Sequence, residues 1–485
     1  MNAIAGGAKS GRDWHGASAS GVARAVREGE ARVGEIVGAS LARIAGTDST
    51  VNAFTDVLAE RAMARARSLD AALGAEGEAA TALRALPLLG VPFAVKNLFD
   101  IAGIPTRAGS IIGLSNAPAR ADALLVQRLE AAGAVLVGAL NMDEYAYGFT
   151  TENTHYGPVR NPHDTTRIAG GSSGGSGAAL AAGQVPLTLG SDTNGSIRVP
   201  ASLCGVFGLK PTYGRLPRTG SYPFVHSLDV LGPLARSVTD LALAYDAMQG
   251  HDPHDAACAS RPAEPLMPQL SGGVRGLRIA VLDGWFSDNA GPQARAAVSR
   301  VARALGTERR LTLQGAVRAR AAAFLIGNSE GGALHLPDLR ARAADFEPLS
   351  RDRFIAGALL PAAWVNQAQR ARLRFAREVA QVLEGVDVLI APATPHPATP
   401  IGSETMEING ARLPTRPNTG LLTQPISCIG LPVCAVPVWP EPDESGAALP
   451  VGVQVIAAPW REDLVMRVAA VLEAGGVASA PLARL

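Results

Sequence analysis

The chain has 485 residues, of which 47% are hydrophobic and 18% are charged. This composition supports a large buried core and excludes global disorder. Lysine and arginine together number 44, against 43 aspartates and glutamates. Such a balance argues against a nucleic-acid-binding protein, which carries a basic excess. No apolar run reaches the roughly 18 residues of a membrane span, so no membrane association is predicted.

The N-terminus and the cysteines indicate the compartment. The first residues contain no apolar stretch long enough for a secretory signal. No two cysteines form a CxxC pair, and four in a chain of this length do not make a disulfide framework. We therefore expect a cytoplasmic protein with reduced thiols at Cys204, Cys258, Cys428 and Cys434.

Lysine is rare in this chain. Only Lys9, Lys96 and Lys210 are lysines, and the other 41 of the 44 basic residues are arginines. A GC-rich genome that favours arginine codons explains such a ratio. In such a background, a remaining lysine indicates a position where arginine cannot replace it. Lysine releases its proton when it is desolvated, whereas arginine does not.

The predicted elements begin with a loose arm over residues 1–15. Apolar residues at helical spacing then predict helices over 17–28, 32–46 and 57–73, followed by a turn region at 74–80. A strand–helix–strand unit comes next, with strands over Val91–Phe99 and Ala134–Leu140 and a helix over 121–133. Later strands are predicted over Leu187–Thr193, Arg278–Asp283, Asp387–Pro392 and Val451–Ala457, and a last helix over 462–474.

This alternation predicts an α/β fold in which a mixed central sheet lies between helical layers. Residues 250–275 are rich in Pro, His, Asp and Gly, which is typical of a surface connection. We expect them to join two parts of a single domain over residues 16–485. Two independent domains divided at this connection are the alternative.

The first segment with possible chemistry ends at Lys96. This lysine follows an apolar strand-like run, and a buried ammonium without a partner has a lowered pKa. A neutral amine is a general base. A side chain that reaches from the strand end to solvent is the structural alternative.

The second segment is the glycine and serine block over 170–177, followed by a predicted helix over Ala178–Gly183. Glycines let the backbone approach a ligand closely. No Gly-Lys-Ser/Thr follows, so the block is not a P-loop. Its G-x-S-x-G match makes Ser173 an alternative nucleophile, although Arg167–Ala169 before it is a poor strand. A flexible linker is the remaining interpretation.

The third segment runs from Gly190 to Arg198, after a predicted strand. A serine at such a turn presents its hydroxyl above consecutive backbone N–H groups, which suit a developing oxyanion. This indicates Ser196 as a nucleophile. Asp192 and Arg198 are expected to form an ion pair that braces the turn. Considered without the other segments, this sequence is also typical of an ordinary polar turn.

Together these segments resemble the amidase signature family. Ser172 and Ser196 lie 24 residues apart, Lys96 ends the segment that begins at Gly90, and Gly208–Thr212 continues the signature. The resemblance extends from about residue 20 to the C-terminus. It implies that Ser196 attacks a carbonyl, that Ser172 after a cis peptide at Gly171 relays the proton, and that Lys96 accepts it. It also implies an oxyanion hole formed by the N–H groups of Thr193, Asn194, Gly195 and Ser196.

The resemblance also directs attention to the substrate pocket. Asn194 stands where most family members have glycine. Gly420 corresponds to the aspartate that holds the substrate ammonium in glutaminase-type members, and Arg353 to the arginine that holds the carboxylate. Arginine suits a carboxylate because it binds it with two hydrogen bonds. A solvated surface arginine is the alternative for Arg353, since the chain has 41 arginines. His335 and Asp143 are further pocket candidates, each with a structural role as the alternative.

We therefore expect an amidase that cleaves a small linear amide and releases ammonia, with no cofactor and no metal. A glutaminase-type member of an amidotransferase, equivalent to its A chain, and another small-amide or carbamate hydrolase are alternatives. A catalytically inactive scaffold protein is a third. The resemblance implies a small helical accessory subunit similar to the C subunit of glutamyl-tRNA amidotransferase, in a heterotetramer.

Overall fold

The structure is a computed structural model, and it describes residues 14–440 and 448–485. Most of the predicted arm over residues 1–15 thus lies outside the described residues. No helix within the described ranges has the length and apolar character needed to cross a membrane.

The strands of the described residues form one large mixed sheet and three small two-stranded sheets. In chain order they are β1 Phe54–Val57, β2 Pro92–Lys96, β3 Val135–Leu140, β4 Glu152–Asn153, β5 Gly157–Pro158, β6 Arg160–Asn161, β7 Asp164–Ile168, β8 Leu187–Asp192, β9 Phe207–Lys210, β10 Val230–Ala235, β11 Ile279–Asp283, β12 Arg310–Thr312, β13 Val388–Pro392, β14 Thr405–Ile408, β15 Ala411–Pro414, β16 Val433–Val438 and β17 Val451–Ala457.

The large sheet has 11 strands in the order β1-β3-β2-β8-β10-β9-β16-β17-β13-β11-β12. Strand β2 runs parallel to both of its neighbours, β3 and β8, whereas β10 is antiparallel to β8 and β9. Strands β2, β3, β8, β9, β10, β13, β16 and β17 are buried at every position. Burial on both faces requires helices on both sides of the sheet, which confirms the predicted class.

The helices supply these layers. In chain order they are α1 Ala19–Arg27, α2 Val33–Val51, α3 Ala59–Leu73, α4 Glu78–Arg84, α5 Leu124–Ala131, α6 Gly174–Ala181, α7 Arg198–Cys204, α8 Val238–Met248, α9 Trp285–Asp288, α10 Pro292–Ala304, α11 Ala316–Arg342, α12 Pro348–Ala358, α13 Ala362–Glu384, α14 Thr415–Asn418, α15 Gln424–Cys428 and α16 Glu462–Ala474. Helices α12 and α13 both pack against the long helix α11.

Three local predictions differ from the structure. The turn region at 74–80 gives way to α4 from Glu78, because Glu and Ala favour helix once Gly77 has turned the chain at a φ of 117°. Helix α6 begins at Gly174 instead of Ala178, because the glycines of its first turn allow close packing. A Cβ on Gly175 would lie 2.5 Å from the Ala53 carbonyl oxygen. The poor strand at Arg167 belongs to β7, which pairs with β6.

The sheet brings two of the predicted segments together. Strands β2 and β8 are adjacent and parallel, with Val95 beside Leu189 in register. Their carboxyl ends, at Lys96 and Asp192, therefore meet at the same edge of the sheet. Residues 250–275 between α8 and β11 contain one 3₁₀ turn, Met267–Gly272, and otherwise no regular element.

Candidate active site

Lys96, the last residue of β2, is fully buried. Its Nζ donates to the Ser172 hydroxyl at 2.6 Å and to the Ser191 hydroxyl at 2.8 Å. Burial lowers the pKa of the Lys96 ammonium to about 7, although the charges of Asp143, Asp229 and Asp192 oppose this shift. A large fraction of the amine is thus neutral near pH 7, as a general base requires.

Ser172 follows a cis peptide bond from Gly171, as the resemblance implied. The serine is fully buried, and its carbonyl accepts the Asp143 N–H at 3.2 Å. Only glycine fits at position 171, because a Cβ there would lie 2.1 Å from the Asp143 carboxylate and 2.8 Å from the Thr150 nitrogen.

Ser196 lies on the turn after β8, and the predicted ion pair braces this turn. Arg198 donates to both carboxylate oxygens of Asp192 at 2.9 Å, and both side chains are fully buried. Gly195 has a φ of 139°, and a Cβ there would lie 2.0 Å from the Thr423 hydroxyl. Among the described residues, no backbone hydrogen bond uses the N–H groups of Asn194, Gly195 and Ser196. These donors remain free for an oxyanion.

The two serines of the predicted triad are both buried, Ser196 to 2% exposure. Within the part of the chain that the structure describes, no hydrogen bond joins their hydroxyls directly, whereas Ser172 contacts Lys96. Catalytic hydrogen bonds are often long before substrate binds and tighten in the complex. The structure therefore shows the Lys96–Ser172 contact that the expected relay needs, and the Ser172–Ser196 step of that relay stays a prediction.

A small cavity opens beside the Ser196 hydroxyl. It is lined by Ala146, Tyr147, Gly148, Phe149, Thr193, Asn194, Ser196, Phe224, Phe324, Gly327, Asn328, Arg353 and Gln424. One of these lining side chains carries a charge, the Arg353 guanidinium, and no carboxylate belongs to the lining. The cavity thus suits an anionic ligand that has no ammonium group.

Arg353 reaches this cavity from α12. Its guanidinium lies 3.7 Å from the centre of the Tyr147 ring and donates to the Tyr147 carbonyl oxygen at 3.3 Å. Stacking on an aromatic ring orients a planar guanidinium and leaves its remaining N–H groups to bind a carboxylate. The predicted pocket arginine and Ser196 therefore line the same cavity.

Two polar residues at the site were not found from the sequence. Asn328 on α11 hydrogen-bonds to the Tyr147 hydroxyl, and Ser191 is the second partner of Lys96. Asn194, which was predicted, has a buried Oδ1 with no partner among the described residues. An unpaired acceptor at this position fits a substrate N–H group. The only available signal for Ser191 was its place at a strand end.

The position of Gly420 is filled by an aromatic ring. A Cβ on this glycine would lie 2.5 Å from the Phe149 ring. No room therefore remains for an aspartate at position 420, and the ring presents an apolar surface where an ammonium would need a charge partner.

Two weaker candidates lie outside the cavity lining. His335 is fully buried against aromatic rings, 4.0 Å from the Tyr145 ring centre and 4.6 Å from that of Phe354. Burial lowers the pKa of His335 to about 4, so it packs as a neutral ring. Asp143 contacts the backbone around Ser172 and forms an ion pair with Arg416.

The Ser173 alternative has a strand before it, β7, contrary to expectation. Its hydroxyl nevertheless donates to the Ser191 carbonyl oxygen at 3.2 Å and accepts the Ser191 N–H at 3.3 Å. Ser173 is fully buried and does not line the cavity. It holds β8 and has no access to a substrate.

The amidase family model matches residues 35–466, so the chain belongs to the amidase family and is an amidase signature hydrolase. Among curated relatives, the AtzE chain of 1-carboxybiuret hydrolase from Pseudomonas sp. (strain ADP) is 59% identical over 93% of this chain and 97% of its own length. The A chain of glutamyl-tRNA(Gln) amidotransferase from Anaeromyxobacter sp. (strain K) is 40% identical over 90% and 92%.

Solved structures agree with this family. A chain from a vestigial protein complex, described as revealing the evolutionary origins of an s-triazine catabolic enzyme, matches with a TM-score of 0.92 and 57% identity. The match covers 97% of this chain and 100% of that one. An amidase crystal structure matches with a TM-score of 0.82 and 32% identity over 95% and 100%. The mixed sheet and its helical layers are therefore the amidase signature fold.

Proposed function

We propose that this amidase hydrolyses a small linear ureide that carries a carboxylate, with 1-carboxybiuret as the best candidate, and releases ammonia. The observation that carries the proposal is the single charge of the cavity at Ser196: Arg353 lines it and no carboxylate does. A substrate with a carboxylate and no ammonium matches this cavity. The 59% identity to the AtzE chain of 1-carboxybiuret hydrolase supports the same substrate.

The proposed reaction begins with attack of the Ser196 oxygen on the terminal amide carbon. The Ser196 proton passes to the Ser172 oxygen, whose own proton passes to the neutral Lys96 amine 2.6 Å away. The carbonyl oxygen becomes an oxyanion, which the N–H groups of residues 193–196 stabilise. Collapse of this intermediate breaks the carbon–nitrogen bond, and the same relay returns a proton to the departing ammonia. Water then attacks the acyl-enzyme and loses a proton to the relay. The relay returns this proton to the departing Ser196 oxygen, and a carboxylated, allophanate-type product is released.

The second candidate, glutamine hydrolysis, requires a partner for the α-ammonium. Gly420 and Phe149 leave no place for a carboxylate there. The same geometry weighs against a glutaminase-type chain of an amidotransferase. The Lys96–Ser172 contact and the free N–H groups at Ser196 weigh against an inactive scaffold.

The test is ammonia release from 1-carboxybiuret, biuret, allophanate, glutamine and a simple aliphatic amide. We expect turnover of the carboxylated ureide by the wild type and none by Ser196→Ala. The matched control is Ser173→Ala, which changes a neighbouring buried serine and should remain active. Glutamine as the preferred substrate would replace the proposal with the glutaminase function, and no ammonia from any compound would support a scaffold.

We also propose a small helical accessory subunit in a heterotetramer, and a cytoplasmic location. The AtzE relative is itself named as one subunit of its enzyme, and the similar solved chain comes from a protein complex. The four cysteines are all free, which fits a reducing compartment. Co-expression with a small helical protein similar to the C subunit of glutamyl-tRNA amidotransferase should give a larger particle in light scattering. A particle of unchanged mass would contradict this assembly.

A further inference from the structure

A buried charge cluster lies directly behind the cavity wall and takes no part in the proposed reaction. One guanidinium, Arg416 on α14, contacts the Asp143 carboxylate at 3.0 Å and the Glu347 carboxylate at 2.9 Å. The side chains of both acids are fully buried and that of Arg416 is 11% exposed. Gly148 of the cavity separates them from the ligand space, since a Cβ there would lie 3.0 Å from the Arg416 guanidinium carbon.

Asp143 connects this cluster to the Ser172 segment. Its N–H donates to the Ser172 carbonyl oxygen at 3.2 Å, and its carboxylate accepts the Thr151 N–H at 3.0 Å. The Thr151 hydroxyl in turn donates to the Gly170 carbonyl oxygen at 2.9 Å. Asp143 therefore holds the backbone on both sides of the peptide that presents Ser172.

Glu347 connects the cluster to the helix that carries Arg353. It is the N-cap residue of α12, and its carbonyl accepts the Arg351 N–H at 2.9 Å. Its carboxylate accepts hydrogen bonds from the Thr154 N–H at 3.1 Å and from the Arg416 guanidinium at 2.9 Å. Glu347 thus joins Arg416 to the start of α12, where the Glu144 carboxylate also accepts the Glu347 N–H at 2.8 Å.

Arg416 is the cation that lies between these two carboxylates. The negative charges of Asp143, Glu347, Glu152 and Glu144 all act on it. Burial and the charges of Asp143 and Glu144 raise the pKa of Glu347 to about 7, and Arg416 opposes this shift. Without Arg416, Glu347 takes up a proton or water, because uncompensated buried charge is costly, and the cation that links the two acids is lost. The Ser172 segment and the start of α12 would then move apart.

We propose that Arg416 is a positioning residue that fixes the spacing between Ser172 and Arg353 by bridging Asp143 and Glu347. The inference rests on the proposed function, since it takes Arg353 as the partner of the substrate carboxylate. With the bridge in place, an amide bound through its carboxylate presents its carbonyl carbon to Ser196. Arg416 itself touches no substrate.

The test compares two substrates in Arg416→Gln. A carboxylated ureide depends on both Arg353 and the Ser172 relay. Its kcat/KM should therefore fall by about 100-fold, the loss expected when reacting groups are misplaced by about 1 Å. For biuret, which has no carboxylate for Arg353, the fall should be at least tenfold smaller. Arg416→Lys keeps the cation and should restore most of the difference. A folded Arg416→Gln enzyme that loses the same factor on both substrates would show a general structural role and overturn the proposal.

Glu347→Gln provides a second variant of nearly unchanged shape. It removes one arm of the bridge, so it should raise KM for the carboxylated ureide and leave the rate of Ser196 inactivation by phenylmethylsulfonyl fluoride unchanged. Arg416→Gln should slow that inactivation as well, because it also frees Asp143. Equal inactivation rates for wild type and Arg416→Gln would contradict the bridge. A wild type that reacts with the sulfonyl fluoride but not with carboxylated ureides would instead contradict the proposed function, and the inactivation rates would still decide the role of Arg416.

Discussion

Lys96 and Lys210 each end a strand of the large sheet, and both are buried, to 0% and 1% exposure. Burial lowers the pKa of each ammonium to about 7. Their neighbours differ. The Lys96 Nζ contacts the hydroxyls of Ser172 and Ser191, whereas the Lys210 Nζ donates to the carbonyl oxygen of Pro211 at 3.0 Å.

The different partners of the two amines show that a lowered pKa does not by itself make a lysine a general base. A neutral amine accepts a proton only from a group that has one to give, and a carbonyl oxygen has none. Lys210 has a similarly lowered pKa, and within residues 14–440 and 448–485 no hydrogen bond joins its Nζ to a hydroxyl. A perturbed pKa therefore identifies both lysines, and the hydroxyl contacts select one.

Among changes at the two lysines and their hydroxyl partners, the largest effect is expected from Lys96→Arg. This change keeps the positive charge and removes the ability to accept a proton, so kcat should fall by about 10⁴-fold, the upper range for a general base. The measurement is ammonia release at saturating substrate. The matched control is Lys210→Met, which should leave kcat unchanged. Equal losses in the two variants would remove the distinction between the lysines.

Ser172→Ala tests the contact that distinguishes Lys96. Loss of this hydroxyl interrupts the proposed relay, and kcat should fall by about 10³-fold. Ser191→Ala removes only a hydrogen bond that orients the Lys96 amine, which is worth about 1 kcal/mol, or about fivefold in rate. A larger loss in Ser191→Ala than in Ser172→Ala would mean that Ser191, and not Ser172, carries the proton.

The pH dependence of kcat/KM should show an acidic limb near pH 7. Below this pH the Lys96 amine is protonated and cannot accept, so the rate falls about tenfold for each further pH unit. The limb should persist unchanged in Lys210→Met. A limb that moves in that variant, or its absence between pH 5 and pH 9, would mean that Lys96 is not the titrating base.

The sequence identified both lysines by their rarity, and the motif spacing located Ser172 and Ser196. Rarity alone did not separate Lys96 from Lys210, and the resemblance to the amidase signature family assigned the base to Lys96. The sequence also did not indicate Asn328, Glu347 and Arg416. Tyr147 and Asn328 are 181 residues apart in the chain, and no local pattern predicts a contact at that separation.

The fold shows the same division. Strands β2, β3, β8 and β17 were predicted because continuous apolar runs mark strands buried on both faces. The helices α11 to α13 were not predicted. Helix α11 contains Gly331, Gly332 and Pro337, which lower helix propensity. Its packing requires these glycines, since a Cβ on Gly332 would lie 2.3 Å from the Ala358 nitrogen. Helix α13 differs from α11, because its buried residues Ala368, Phe375 and Val379 recur at helical spacing.

The smallest effect on activity is expected from Lys210→Met, where stability should change instead. The pKa of Lys210 is about 7 in the folded chain and about 10.4 when unfolded. Between these values the unfolded chain binds a proton that the folded chain does not, so the free energy of unfolding rises with pH, by up to about 1.4 kcal/mol per unit for each such lysine. Below pH 7 both states are protonated and the dependence disappears.

Lys210→Met removes one of the two contributions, because Lys96 supplies the other. The slope of unfolding free energy against pH, measured by urea denaturation at pH 7, 8 and 9, should therefore fall by up to about 1.4 kcal/mol per unit. A methionine of similar length fills the same buried space without a charge to desolvate, so the variant should also be at least as stable as the wild type at pH 7. An unchanged slope would mean that Lys210 stays protonated when folded, and the two lysines would then differ in charge as well as in neighbours.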